Sequence, residues 1–193
     1  MSGLTGALAA AADALEADAD ELTRLDALQG DGDLGRTARL IAEALRRVVG
    51  TAADDPVAVL RACGAEVAAA APSTSGTLVA GGFLSAAKGL AGSTGDALVA
   101  ALGAGIAGIE QRGKARPGDR TMLDALAPAL ARLEADAADR EGAAAAAEAG
   151  IEATRTMTAR FGRARFLAVN AAGEPDPGAE MAGRALAAAL RAP

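Results

Sequence analysis

Leucines 8, 15 and 22 fall seven residues apart, with Leu4 and Leu25 close to the same face. Apolar residues at that spacing make one stripe along a helix, and the stripe has to be buried. The pattern recurs along the chain and constrains the fold more than any other feature. The spacing predicts a first helix over about residues 3–27. A second carries Leu40, Ile41, Leu45, Val48 and Val49 and ends near Gly50. Asp54-Asp55-Pro56 gives an acidic cap followed by proline at the first helical position, and a third helix runs from there to about Ala70. A fourth covers about 77–90 and a fifth about 95–112. The sixth carries Leu123, Leu126, Leu130 and Leu133, with a kink expected at Pro128. A seventh covers about 141–158 and a last about 178–191.

Strands have little to be built from. Ala and Leu dominate, Val, Ile and aromatics are sparse, and Trp and Tyr are absent. Residues 163–170, RARFLAVN, read as a strand in isolation but have no partner; residues 160–178 are the longest irregular stretch. The expectation is an all-α fold: an up-and-down bundle of eight helices, short connections making sequential neighbours antiparallel, in one domain over residues 1–193.

Several classes drop out. A net charge of −6 and the lack of a basic run argue against nucleic acid. The partly apolar start is acidic and lacks the basic opening of a signal peptide. The weakly polar run 76–109 is interrupted by Lys88, Asp96 and many glycines, so it reads as two core helices and no membrane partner is expected. The chain has no histidine, which rules out an internal Ser-His-Asp triad, a His-ligated zinc and a phosphohistidine relay. The single cysteine, Cys63, forms no internal disulfide and reads as a small core residue; a reducing cytoplasm fits.

GDGDLG at 30–35 has the glycine spacing of a dinucleotide loop. That loop needs a preceding strand and neutral amides, whereas here a helix precedes and two carboxylates stand where phosphate would lie. An EF-hand counted from Asp31 needs Gly and Glu where Arg36 and Ala42 stand. Two readings remain. DGD is an Asx turn and helix cap, or Asp26, Asp31 and Asp33 converge, helped by Gly30, Gly32 and Gly35, to hold Mg²⁺ or Ca²⁺. Cations there let an acidic loop accept phosphate, and the helix starting near Leu34 adds amides and a positive dipole end. STSG at 73–76 is either a plain cap or a phosphate contact. Arg163 is either a solvated surface arginine or a cation for phosphate, and PDPG at 175–178 is a rigid turn before a helix.

In order and spacing, LDALQGDGDLGRT (25–37), STSGTLVAGGFLSAA (73–87), RGKARPGDRTMLDALAPAL (112–130) and TMTARFGRARFLAVNAAGEPDPGA (156–179) resemble the L subunit of dihydroxyacetone kinases, a nucleotide-binding unit also found fused as a C-terminal domain. The third block is close to a signature of the form GKAxxGDKTMxDxxxP. The resemblance implies an up-and-down barrel of eight antiparallel helices. It implies two Mg²⁺ held by Asp26, Asp31 and Asp33 and bound to the phosphates of ADP or ATP. Leu34, Gly35, Arg36 and Thr37, with Thr74 and Ser75, would line the phosphates; Gly113, Thr121 and Met122 would border adenine and ribose. Arg163 would assist catalysis as a supplementary cation and, with Asp176, Pro177 and Gly178, close the pocket.

The phosphoryl group would pass to a ketose held on a separate K subunit. In the phosphotransferase-dependent version, bound ADP is recharged by a phosphohistidine protein, the M subunit. The chain departs from the family pattern at the phosphate end. Leu34 replaces a usual His, Thr37 a common Asn, and Pro72 and Ser73 a glycine pair. These departures motivate a second reading, a regulator that binds nucleotide without turnover.

Overall fold

The computed structural model describes residues 3–51, 54–167 and 173–193, and among these it is helical with no strand. The helices are α1 (Gly3–Ala17), α2 (Ala19–Gln29), α3 (Leu34–Thr51), α4 (Pro56–Ala70), α5 (Thr74–Ala91), α6 (Ala97–Gly113), α7 (Leu123–Ala135), α8 (Arg140–Ala153), α9 (Ala164–Leu167) and α10 (Pro177–Arg191), with a 3₁₀ turn at Thr154–Thr156. α1 and α2 form one rod with a dent at Asp18. Hydrogen bonds run into and out of that residue, from its N–H to Ala14 (3.0 Å) and from Leu22 to its carbonyl (2.9 Å). The leucine stripe continues through the dent, since Leu8, Leu15, Leu22 and Leu25 are all buried.

Each rod packs on the next in sequence, and α10 packs on both α8 and α1. The ring therefore closes: the α1–α2 rod, α3 to α8 and α10 make an antiparallel barrel of eight rods, as expected. Its interior is aliphatic. Leu8, Leu34, Ile41, Leu45, Val59, Val67, Ile106, Leu123 and Met181 belong to one continuous buried cluster, and Cys63 is part of it. Burial pushes the Cys63 thiol up to about 12, so it stays an inert core group. Small residues let rods approach closely; a Cβ on Gly89 of α5 would stand 2.3 Å from the Cβ of Ala104 in α6.

Two helix ends differ from the sequence expectations. The seventh helix stops at Ala153 rather than 158, because the Thr154 hydroxyl donates back to the Ile151 carbonyl (2.6 Å) and accepts the N–H of Asp176 (2.8 Å). The fourth helix begins at Thr74 rather than 77, because Ser73 caps it. Within the stretch expected to be irregular, residues 164–167 are helical; residues 168–170 of RARFLAVN lie outside the described residues. α7 runs through Pro128. Proline has no N–H to give the Asp124 carbonyl, and Gly150 of α8 lies against that carbonyl, where a Cβ would stand 2.2 Å away.

Candidate functional site

The antiparallel ring gathers at one end the reversals 30–33, 71–73 and 114–122, together with residues 154–163 and 173–176. Every candidate site residue named above lies on or beside these segments.

Between α2 and α3 the chain turns in four residues. Gly32 takes the left-handed region (φ 75°). A side chain at Gly30 would collide with Asp26, whose Oδ1 would be 2.5 Å from a Cβ. Asp26 reaches forward from the last turn of α2, and its Oδ2 accepts the N–H groups of Asp33 (2.9 Å) and Leu34 (3.2 Å). One carboxylate thus caps α3 from seven residues upstream and is fixed in orientation. One oxygen from each of Asp26, Asp31 and Asp33 lies within 4.8 Å of the other two, Asp26 half-buried and the others exposed. Burial, then the neighbouring charges of Asp31 and Asp33, push the Asp26 carboxyl up, against the two N–H bonds that favour its charged form. Three convergent hard oxygens at that spacing suit a divalent cation such as Mg²⁺. Arg163, exposed, pairs through Nη1 with Oδ1 of Asp31.

The other phosphate-end residues divide. Leu34 is buried and turns its side chain into the core; its N–H goes to Asp26. Gly35 lies where a Cβ would come within 2.0 Å of the Ala19 carbonyl oxygen and 2.1 Å of Thr23 Oγ1, so it lets α3 press against α2. Arg36 is exposed. Thr37 is buried and donates its hydroxyl to Ser73 Oγ (3.2 Å), which also accepts the N–H of Gly76 (3.0 Å). That bond sets the first turns of α3 and α5 side by side, so two helix N-termini meet at this end. Thr74 is exposed and Ser75 half-buried in the first turn of α5.

Gly113 ends α6 beside Leu78 of α5. The loop after it is held by carboxylates. Asp124 accepts the N–H of Thr121 (2.7 Å) and that of Gly118, and Asp119 accepts that of Arg116 (2.8 Å). Arg120 has positive φ (60°) and donates to the Glu174 carbonyl (2.9 Å). Met122 is buried, with Gly178 against its backbone. Asp176 caps α10 by accepting the N–H of Ala179 (2.7 Å), and Pro177 takes the first helical position. Asp176 is enclosed, and burial pushes its carboxyl up to about 7 against the pull of that N–H and of the Arg120 charge.

The structure thus brings Arg163 onto Asp31, Thr37 onto Ser73 and Gly178 onto Met122. It also shows residues that the sequence reading passed over. Asp124 sits inside the quoted signature block and shapes its loop. Gln29 donates to the Pro175 carbonyl (2.9 Å), and Thr154 receives Asp176; neither has a sequence signal, because each acts on a segment far away in the chain.

Residues 28–191 match the DAK2 domain family. The chain is 37% identical over 184 residues to a D-erythrulose kinase of Mycolicibacterium smegmatis, which covers 88% of this chain and 32% of that protein. It is 32% identical over 161 residues to the ADP-binding subunit DhaL of a PEP-dependent dihydroxyacetone kinase of Listeria innocua, covering 82% of this chain and 79% of that subunit. The crystal structure of the C. freundii dihydroxyacetone kinase in complex with AMP-PNP and Mg²⁺ superposes with a TM-score of 0.83 at 29% identity, over 96% of this chain and 33% of that one. The chain thus spans about a third of the longer kinases it matches and most of the free-standing subunit. No described helix is long and apolar enough to cross a membrane. With a family match over most of its length and an eight-rod barrel that superposes on a dihydroxyacetone kinase, the chain belongs to the DAK2 domain family.

Proposed function

We propose that this chain is the nucleotide-carrying unit of a ketose kinase, folding as one domain and binding ADP or ATP with two Mg²⁺ at the α2–α3 reversal. Its phosphoryl group goes to a ketose held on a separate K-type subunit. The observation that carries this reading is the convergence of Asp26, Asp31 and Asp33 at the start of α3, whose Thr37 is bonded to the Ser73 cap of α5. The likeness to an ADP-binding subunit and to a kinase complexed with AMP-PNP and Mg²⁺ supports it.

Phosphoryl transfer is mainly positioning and charge neutralisation. Bound Mg²⁺ would supply Lewis-acid neutralisation of the phosphate oxygens. The three aspartates would hold it, with Asp26 kept in place by its two N–H bonds. Amides of α3 and α5, with Thr37, Thr74 and Ser75, would face the phosphates. Arg163 would add a positive charge, and the walls made by Gly113, Thr121, Met122 and Asp176–Gly178 would border the nucleoside. The chain has no histidine, so the histidine-bound ketose that the family resemblance implies would be carried by the K-type partner.

The test is thermal melting with Mg²⁺ and ADP against the same sample in chelator. Ligand at a hundred times its dissociation constant stabilises by about 2.7 kcal/mol; an unchanged melting temperature under both conditions would defeat the reading. Mass analysis of nucleotide extracted from the purified protein separates the two phosphoryl sources. Retained ADP points to recharging by a phosphohistidine M-type protein, and an empty site to exchange of ATP. The buried Leu34 side chain, where the resemblance leads one to expect His, favours keeping the regulator as the second reading. Metal-dependent ADP binding without ketose phosphate formation beside a competent K-type partner selects it.

A further inference from the structure

Arg163 stands on a loop more than a hundred residues from the aspartates, directly after Gly162 (φ 66°). The loop is fastened at two points. Arg160 pairs with Asp119 (3.4 Å) and gives its N–H to the Asp119 carbonyl (3.2 Å). Arg163 pairs with Asp31. The first anchor uses a carboxylate that otherwise shapes its own loop; the second uses a member of the trio. A guanidinium and a divalent cation on the same carboxylate repel each other, so the two compete for Asp31. The arginine side chain is 65% exposed and that of Asp31 42%, so the pair is weak and readily exchanged.

We propose that Arg163 is a displaceable placeholder: it pairs with Asp31 while no cation is bound there, and it leaves that carboxylate for nucleotide phosphate when one is. The inference rests on the metal–nucleotide reading above and adds a coupling to it. The same side chain opposes binding of metal alone and favours binding of metal with nucleotide.

Mn²⁺ binding followed by electron paramagnetic resonance tests it on the full chain. Arg163→Gln should bind Mn²⁺ alone up to about fivefold more tightly than the parent, the span expected for an exposed ion pair. Arg163→Lys, which keeps the charge, should stay near the parent. Arg165→Gln removes a neighbouring charge that stacks on Phe166 instead of touching the trio, and it too should stay near the parent. With ADP present the order should invert, Arg163→Gln binding Mn²⁺–ADP more weakly. Hydrogen exchange over residues 160–166 should rise with Mn²⁺ alone and fall when ADP is added. Equal or weaker Mn²⁺ affinity in Arg163→Gln overturns the placeholder, as does an equal gain in Arg165→Gln. If the parent takes no Mn²⁺, or takes it indifferently to Asp31→Asn, the metal reading itself fails and the placeholder with it.

Discussion

The two ends of the barrel are built by different rules. At the end away from the aspartates helix starts are capped locally, and the long-range links are exposed ion pairs such as those of Arg191 with Glu141 and Glu148. Asp55 accepts the N–H of Val57, Asp96 that of Val99 and Asp139 that of Gly142, none more than three residues away. At the other end such caps are supplemented by bonds between segments far apart in sequence: Thr37 to Ser73, Arg160 to Asp119, Arg120 to Glu174, Gln29 to Pro175, Asp176 to Thr154. All described residues with positive φ lie at this second end: Gly32, Lys114, Gly118, Arg120, Gly162 and Gly173. Left-handed backbone in Lys and Arg is costly and persists only where surrounding contacts over-determine it. The local end stabilises helices, while the interlocked end holds a constellation of groups in fixed relation, which a binding site requires.

The largest expected contrast is in binding. Asp31→Ala should lower Mg²⁺-dependent ADP affinity by more than about 100-fold, since even groups behind a metal ligand are worth 10–100-fold. Helical circular dichroism should be unchanged, because Asp31 is exposed and caps nothing. Isothermal titration with and without chelator reads this. An affinity that survives and ignores chelator would dissolve the functional difference between the ends.

The next contrast lies within α3, which has a glycine near each end. A Cβ on Gly35 would stand 2.0 Å from a backbone oxygen of α2, whereas Gly50 has nothing within 4 Å. Gly35→Ala should therefore cost about 2–3 kcal/mol of stability by overpacking, while Gly50→Ala should gain about 0.5–1 kcal/mol from helix propensity. Urea denaturation of both variants checks the sign as well as the size.

Asp176 gives a pH signature to the interlocked end. Its folded carboxyl sits at about 7, above the ordinary 3.8. A raised value favours the neutral form in the folded state, so this contribution is full below about pH 4 and disappears as pH rises through about 7. The parent should lose about 2–3 kcal/mol relative to Asp176→Asn between pH 5 and 8. Parallel stability curves for the two proteins would show that the site is solvated rather than sealed.

The same division explains what was legible in the sequence. Local rules announce themselves. The leucine stripe gave the rods, and Asp55-Pro56 gave the start of α4 to the residue. The aspartates were legible because glycines surround them, and the family blocks because their order is kept. The dent at Asp18 was invisible, since no glycine or proline marks it and the hydrogen-bond run continues through it. The early stop at Ala153 was invisible because its cause, Asp176, arrives 22 residues later. Gly35 also has a packing role that its motif does not announce, letting α3 approach α2 closely. Periodicity states which face of a helix is buried; it says nothing of which distant amide a buried hydroxyl or carboxylate will take.

The smallest effect tests the interlocking itself. Asp55→Ala and Ser73→Ala each remove one helix cap and should each cost about 1 kcal/mol. Ser73 also receives the Thr37 hydroxyl, so Ser73→Ala leaves a buried group without its acceptor. A double-mutant cycle of Thr37→Val with Ser73→Ala, in the absence of metal and nucleotide, should return a coupling of about 0.5–1 kcal/mol. The cycle of Thr37→Val with Asp55→Ala should return none, because Asp55 caps its own helix at the other end. Equal couplings would mean that the bond between the first turns of α3 and α5 carries no energy of its own. The helix N-termini would then be brought together by the packing of the rods alone, and the site end would be no more interlocked than the other.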